Sequence, residues 1–321
     1  MENIIQLIKN SKKAVVLGHI DEDSDSVGST LAMCEMLKNM GKEAVLFLSG
    51  EPEHRLKFLV PECNYYDDSI NTDDFDLLIC IDTADAKRLG KRAVLLDKIK
   101  PSVNIDHHFT NTNYADYNIV DGNMSSASEM VYDLICQMGA EITKSMAEYL
   151  YCGIMGDTGC LKYNSATPKT ALIISELMKK GIDHAKLARR IFDTDTFGAI
   201  KLKGYIIDNL ESYYDGELTI CAIDGNIFEK YNVQERDCGD IVNIPRSVEG
   251  TQIAASIRDV GDKIKVSFRS NGKYNVSDIA KIFGGGGHIM SAGATIRDAS
   301  IDGAKKMVVD AVGKYLKELT P

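Results

Sequence analysis

Residues 75–82 read Phe-Asp-Leu-Leu-Ile-Cys-Ile-Asp, an almost wholly apolar run of strand length that ends on an acid. A strand apolar on both faces belongs in a sheet covered on both sides, as parallel strands are. The same grammar recurs along the first half of the chain. Residues 14–18 form a short β-branched run that stops at His19, 43–48 read as another strand, and 102–106 as a shorter one ending at Asp106. Helical patterns fall between and after them: 29–40 with Gly41 as its stop, 125–138, 144–156 and 167–180. Ser125 or Ser126 would cap the second of these, with Glu129 close to the capping-box position. Pro168 opens the last and Gly181 follows its end.

Strands that alternate with helices imply an α/β fold, a doubly wound parallel sheet of Rossmann-like type. Such sheets bind ligands beyond the carboxyl ends of their strands. His19, Asp82 and Asp106-His107-His108 each lie at or just after such an end. Separate strands thus deliver ligand-type side chains to one edge of one sheet.

The second half is a different unit. Helical, charged sequence from about 185 to 210 reads as a linker helix, and Tyr213-Tyr214-Asp215-Gly216 as a turn. Strands are expected near 218–223, 251–258, 263–270 and 292–296, with helices over 278–283 and 301–319. The expected division is a first domain over 1–185, a linker over 186–215 and a smaller α/β domain over 216–321. A length of 321 residues suits two cores better than one.

The formal net charge is −10. An acidic chain repels the backbone of long nucleic acid, whose binding relies on a basic footprint. A phosphate-bearing substrate would therefore be small, held by metal ions and a few arginines. None of the eight cysteines forms a C-x-x-C pair, and most sit in apolar surroundings such as Leu78-Ile79-Cys80-Ile81. They read as reduced core thiols. Neither a signal peptide nor a membrane-spanning run is recognised, so a cytoplasmic location away from membranes is expected.

His and Asp together make the ligand set of Mn-, Zn- or Fe-type ions. Four of the six histidines fall in acid-containing or glycine-rich patches. Asp23 and Asp25 alternate across one residue in the loop after the first strand, and two carboxylates so close repel unless a cation lies between them. Each could serve one ion of a pair. The competing reading is an acidic turn capping the following helix. Asp82 could be a turn residue or a carboxylate bridging two ions. Arg88 could be a phosphate clamp or a surface arginine. At Asp106-His107-His108, one imidazole could bind metal while the other faces substrate, with Asp106 orienting a ring. Asp157, flanked by Gly156 and Gly159, could be a cap or a ligand. The run Gly284 to Gly287 before His288 could be a hinge or a backbone surface that receives an anion. His54 and His184 read as structural or surface residues.

Taken together, these patches resemble the motifs of the DHH phosphoesterase superfamily, which includes RecJ nucleases and manganese pyrophosphatases. His19-x-x-x-Asp23-x-Asp25 looks like the first motif, Asp82 the second, Asp106-His107-His108 the third and Asp157-Thr158-Gly159 the fourth. The glycine run with His288 and Ala292-Gly293 resembles the signature of the DHH-associated C-terminal domain. The resemblance covers about residues 10–297, in the right order. It implies a first metal on His19, Asp23 and Asp82, and a second on Asp25, Asp82, His107 and Asp157. Family members usually take Mn²⁺, with Mg²⁺ or Co²⁺ as the other choices. Asp82, His107 and His108 would carry catalysis. Substrate would meet Arg88, His108, Arg269, Ser270, Gly285, Gly286, Gly287 and His288, in a cleft between the domains. Two departures stand out. Members usually carry proline before the first Asp of the pair and glycine or threonine after it; here these are Glu22 and Ser24. Glu22 is expected to add negative charge beside the metals.

Size and domain content are similar to the nanoRNase/pAp phosphatase group. The expected activity is phosphodiester and phosphomonoester hydrolysis of short oligonucleotides, of either polarity, and of 3′-phosphoadenosine 5′-phosphate (pAp), by a water that two metals activate. The alternative is a stand-alone cyclic di-AMP or pApA phosphodiesterase, and a different class is a non-catalytic nucleotide-binding module. Homodimers are common in the family.

Overall fold

The computed structural model describes residues 2–60, 64–234 and 241–319. Cys63 and Cys238 lie outside them. Two compact units divide between Thr194 and Asp195.

The first unit runs α1 (Glu2–Asn10), β1 (Lys13–Leu17), α2 (Ser24–Asn39), β2 (Glu43–Leu48), β3 (Asn64–Tyr65), β4 (Leu77–Ile81), α3 (Leu95–Lys98), β5 (Ser102–Asp106), β6 (Tyr117–Val120), α4 (Ala127–Gln137), α5 (Lys144–Asp157), α6 (Pro168–Met178) and α7 (His184–Phe192). Its six strands are all parallel, in the order β3-β2-β1-β4-β5-β6. Residues of β1, β2 and β4 alternate between two cores. Val16, Ile79 and Ile81 join one with Met33, Leu37, Val131 and Leu150 of the helices. Val15, Leu17, Leu78 and Cys80 join another with Leu89, Leu95 and Ile99.

 Burial on both faces is why these strands read as unbroken apolar runs. The strand order reverses between β1 and β4, and the site lies at their carboxyl ends.

Helix α2 starts at Ser24, five residues before the expected start at Ser29, because Asp23 caps it. One Asp23 oxygen accepts the N–H groups of Asp25 and Ser26, each at 3.0 Å. Both readings of the acidic loop therefore meet in one residue, a cap that also faces the site.

The second unit runs α8 (Phe197–Asp208), β7 (Glu211–Tyr213), β8 (Leu218–Ile223), α9 (Gly225–Tyr231), α10 (Asn243–Arg246), β9 (Ile253–Asp259), β10 (Ile264–Ser270), α11 (Val276–Ile282), β11 (Gly286–Gly287), β12 (Ser291–Ile296) and α12 (Ile301–Leu319). Its mixed sheet has the order β11-β12-β10-β9-β8-β7, with β8 and β9 parallel and the remaining pairs antiparallel. Residues 186–215, expected as a linker helix, instead hold most of α7 and all of α8, with a break at 193–196. Thr196 caps α8 by accepting the Ala199 N–H at 3.1 Å. Leu202 and Ile206 of α8 pack with Cys221, Ile223 and Phe228, so α8 is part of the second unit's core.

Among the described residues Cys34, Cys80, Cys152 and Cys221 are buried free thiols, whereas Cys136 and Cys160 are exposed. No described helix is long and apolar enough to cross a membrane.

Candidate metal centre

His19 follows β1, and its side chain is almost fully buried. Its Nδ1 stands 2.6 Å from the Ile20 carbonyl, so an Nδ1–H donated there leaves Nε2 for the site. That Nε2 stands 3.5 Å from Asp23 Oδ2 and 3.4 Å from Asp82 Oδ2. Asp82, one residue past β4, adopts the left-handed region at φ +57° and donates its N–H to Ile105 O at 2.9 Å. Aspartate tolerates that backbone better than most residues, and the turn places its buried carboxylate at the strand switch.

His107 leaves the end of β5, with Nδ1 3.3 Å from the Met124 carbonyl. Its Nε2 stands 3.2 Å from Asp157 Oδ2, 3.5 Å from Asp82 Oδ1 and 4.0 Å from Asp25 Oδ2. His108 Nδ1 meets Asp106 Oδ1 at 2.8 Å, and Asn111 donates to Asp106 Oδ2 at 2.6 Å. Asp106 thus orients His108, as its position suggested. Asp25, in the first turn of α2, accepts the N–H groups of Ala127 at 2.6 Å and Ser128 at 2.9 Å, at the start of α4.

Asp157 arrives on α5 because that helix packs very closely. A Cβ at Gly153 would stand 2.0 Å from Ser128 Oγ, and one at Gly156 would stand 1.7 Å from Ser24 Oγ. Gly153 and Gly156 are therefore contact points between helices, whereas Gly159 is a left-handed turn residue.

Among the described residues, three sets of side chains have ligand atoms within 4.8 Å of one another: His19, Asp23 and Asp82; Asp25, His107 and Asp157; Asp82, His107 and His108. Their chemistry fits divalent cations. Asp82 Oδ1 is buried and accepts no hydrogen bond, a costly state for a carboxylate oxygen. Protonation states show the same shortage of positive charge. Burial and then the Asp82 charge push Asp25 up to about 7. Burial and then Asp25 hold Asp157 well above the carboxylate range. Burial lowers His107, but Asp82, Asp157 and Asp25 outweigh it and lift the ring to about 10. His19 is likewise raised, against its burial, by Asp23 and Asp82. Asp82 goes the other way: burial raises it, and the two histidines more than reverse that. Without cations, the cluster supplies its missing charge with protons.

Glu22 does not add charge to this cluster. It turns away, accepting from Ser49 N at 2.6 Å, Ser49 Oγ at 2.7 Å and Arg92 Nη1 at 3.1 Å. Arg92, absent from the residues singled out in the sequence, also donates to Gly18, Phe47 and Leu89 carbonyls. No local motif marks it; only the folded loop supplies its partners.

Other expected contacts are placed as follows. Arg88 is exposed, and its carbonyl accepts the Ile20 N–H at 2.7 Å. Arg269 is half-buried on β10, with Nη1 3.0 Å from Phe268 O. Ser270 is buried and its Oγ accepts the Gly272 N–H at 3.1 Å. Gly286 and Gly287 form β11 against β12. A Cβ at Gly285 would stand 2.2 Å from Gly293 O, so the run is a closely paired strand rather than a hinge. His288 is exposed at the hairpin that follows, as are His54 and His184 elsewhere.

The model of the DHH family's N-terminal domain matches residues 13–154, and that of the DHHA1 domain matches residues 217–318. A bifunctional oligoribonuclease and PAP phosphatase NrnA from Thermus thermophilus is 31% identical over 318 residues, 97% of this chain and 94% of that protein. The chain belongs to the DHH family. The crystal structure of an exopolyphosphatase-related protein from Bacteroides fragilis has a similar fold, with a TM-score of 0.93 at 28% identity over 100% of this chain and 97% of that one. RecJ from Thermus thermophilus, solved in complex with Mn²⁺, shares the fold at a TM-score of 0.58 and 12% identity, over 97% of this chain and 54% of RecJ.

Proposed function

We propose that this DHH protein is a divalent-metal-dependent phosphoesterase that hydrolyses short oligonucleotides and pAp. The observation that carries the reading is the convergence of His19, Asp23, Asp25, His107, His108 and Asp157 around the buried carboxylate of Asp82, whose Oδ1 accepts no hydrogen bond. Likeness to the NrnA protein over nearly the full length of both chains supports the substrate class.

His19, Asp23 and Asp82 would hold one ion, and Asp25, Asp82, His107 and Asp157 the other, with Asp82 shared. When bound, such a pair lowers the pKa of water and stabilises charge on a phosphoryl group. Mn²⁺ is the proposed ion, supported by the metal seen with RecJ.

The chain's own groups have distinct tasks. Ile20 O and Met124 O hold the Nδ1 sides of His19 and His107, keeping each Nε2 directed at the carboxylates. Asp106 accepts from His108 Nδ1, which leaves Nε2–directed chemistry of that ring for the phosphate. His108 and Arg88 would balance charge that grows on the phosphoryl oxygens. Arg269, Ser270, Gly285, Gly286, Gly287 and His288 are the proposed contacts for the remainder of the substrate.

The test is release of phosphate and mononucleotide from pAp, pApA, a five-nucleotide RNA and cyclic di-AMP, with Mn²⁺ and with chelator. Mn²⁺-dependent turnover of pAp and the short RNA supports the reading. Turnover confined to cyclic di-AMP or pApA would replace the substrate while keeping the residues. No turnover of any of the four would sink it.

A further inference from the structure

Two exposed aromatic side chains are attached to the loops of the acidic cluster. Phe109 follows His108 directly and is 78% exposed. Its ring nonetheless has a fixed seat, since a Cβ at Gly122 would stand 2.4 Å from both Cδ1 and Cε1. Tyr163 is 40% exposed and rests in the same way on Gly159, where a Cβ would stand 2.5 Å from Cζ.

The chain between Asp157 and Tyr163 is strained. Gly159, Cys160 and Leu161 have φ values of +55°, +62° and +62°. Left-handed backbone is rare for cysteine and leucine, and runs of it concentrate where function demands them. The turn folds the chain back so that the Tyr163 N–H donates to Thr158 O at 3.1 Å. The His107–Asp157 contact at 3.2 Å joins the two loops. Phe109 lies two residues from His107, and the Gly159 seat two residues from Asp157; two residues span at most about 7 Å. Both rings are thus tethered close to the cluster.

The cluster itself offers nothing to a neutral nucleobase. Carboxylates and metal ions act on the phosphate, and an acidic chain supplies little other charge. Aromatic faces are the sequence-tolerant way to hold a base. A ring already seated on a glycine loses little freedom when a ligand stacks on it.

We propose that Phe109 and Tyr163 form the platform on which the nucleobase next to the scissile phosphate stacks, and so set the preference for nucleotides over other phosphoesters. This rests on the phosphoesterase reading above. The test measures KM and kcat with Mn²⁺ for pAp and for the same sugar bisphosphate lacking adenine. The chains compared are wild type, Phe109→Ala, Phe109→Trp, Tyr163→Ala and Tyr163→Phe, with circular dichroism and bound Mn²⁺ as checks on folding.

Wild type should show a KM for pAp roughly fivefold to a hundredfold below that for the adenine-free compound. Each alanine variant should narrow that gap by raising KM for pAp, with kcat within a few-fold and the adenine-free KM unchanged. Phe109→Trp and Tyr163→Phe should restore it. If wild type turns over pAp but the alanine variants leave its KM unchanged, or shift both substrates equally, the platform is wrong while the phosphoesterase reading stands. If wild type turns over neither compound, nor pApA, cyclic di-AMP or a short RNA, both fall.

Discussion

Arg92 Nη1 donates to Glu22 Oε1 across 3.1 Å, with both side chains almost completely buried. The pair ties the loop between His19 and Asp25 to the ends of β1 and β2, through Gly18 O and Phe47 O. The resemblance placed a proline where Glu22 stands; here a buried ion pair with five further hydrogen bonds of Arg92 and Ser49 holds the loop instead. Removing one partner leaves the other charge buried and bare, which costs about 3–5 kcal/mol. Arg92→Ala is therefore expected to lower the urea midpoint of unfolding and to weaken Mn²⁺ binding. Glu22→Gln combined with Arg92→Met should cost less than Arg92→Ala. Equal urea midpoints for wild type and Arg92→Ala would contradict this role.

Metal binding should release protons. At pH 8 the metal-free protein carries a proton on His107, whose pKa is lifted to about 10 by Asp82, Asp157 and Asp25 against its burial. Coordination through Nε2 requires the neutral ring. Adding Mn²⁺ to weakly buffered protein should thus acidify the solution, and Mn²⁺ affinity should rise with pH. An unchanged pH on saturation would contradict the assignment of His107.

The same shifts set the stability of the metal-free protein. His107 is raised from 6.5, so its stabilisation is complete below pH 6.5 and is lost as pH rises towards about 10. Asp25 is raised from 3.8 to about 7, so ionising it costs stability progressively across that interval. In both cases the folded state binds more protons than the unfolded one, and stability falls with rising pH. Melting temperature without metal should decline between pH 6 and 9, and saturating Mn²⁺ should remove most of the decline.

Asp106 holds His108 at 2.8 Å and is itself held by Asn111. Asp106→Asn preserves shape but removes the charge that favours the Nδ1–H form. Partners of this kind are worth about 10- to 100-fold in activity. The variant should lose kcat to that extent while binding Mn²⁺ normally. An unaltered kcat would detach Asp106 from the chemistry.

Much of this was legible in the chain because parallel strands declare themselves. The run ending at Asp82 is apolar on both faces and the strand ending at Asp106 is buried on both, and both proved to be interior strands of one sheet. Once strand ends were placed, so were His19, Asp82 and His107. Helix starts were harder. Asp23 is at once an acid of the cluster and the cap of α2, and the run of polar residues up to Ser29 hid five helical positions. Long-range partners left no mark at all. Arg92 reaches Glu22 across seventy residues, and the amides that hold Asp25 come from α4. Short elements such as β3 and β11, two residues each, exist only through their neighbours.

The most direct test is Asp82→Ala, read by Mn²⁺ stoichiometry and by pAp turnover on the same sample. Asp82 is shared between two of the three ligand sets and carries the bare buried oxygen. Wild type should bind two Mn²⁺ per chain; the variant should keep its circular dichroism spectrum, lose tight binding of both ions and lose turnover by on the order of 10³-fold or more. A folded Asp82→Ala protein that still binds two Mn²⁺ and turns over pAp at the wild-type rate would contradict the two-metal account.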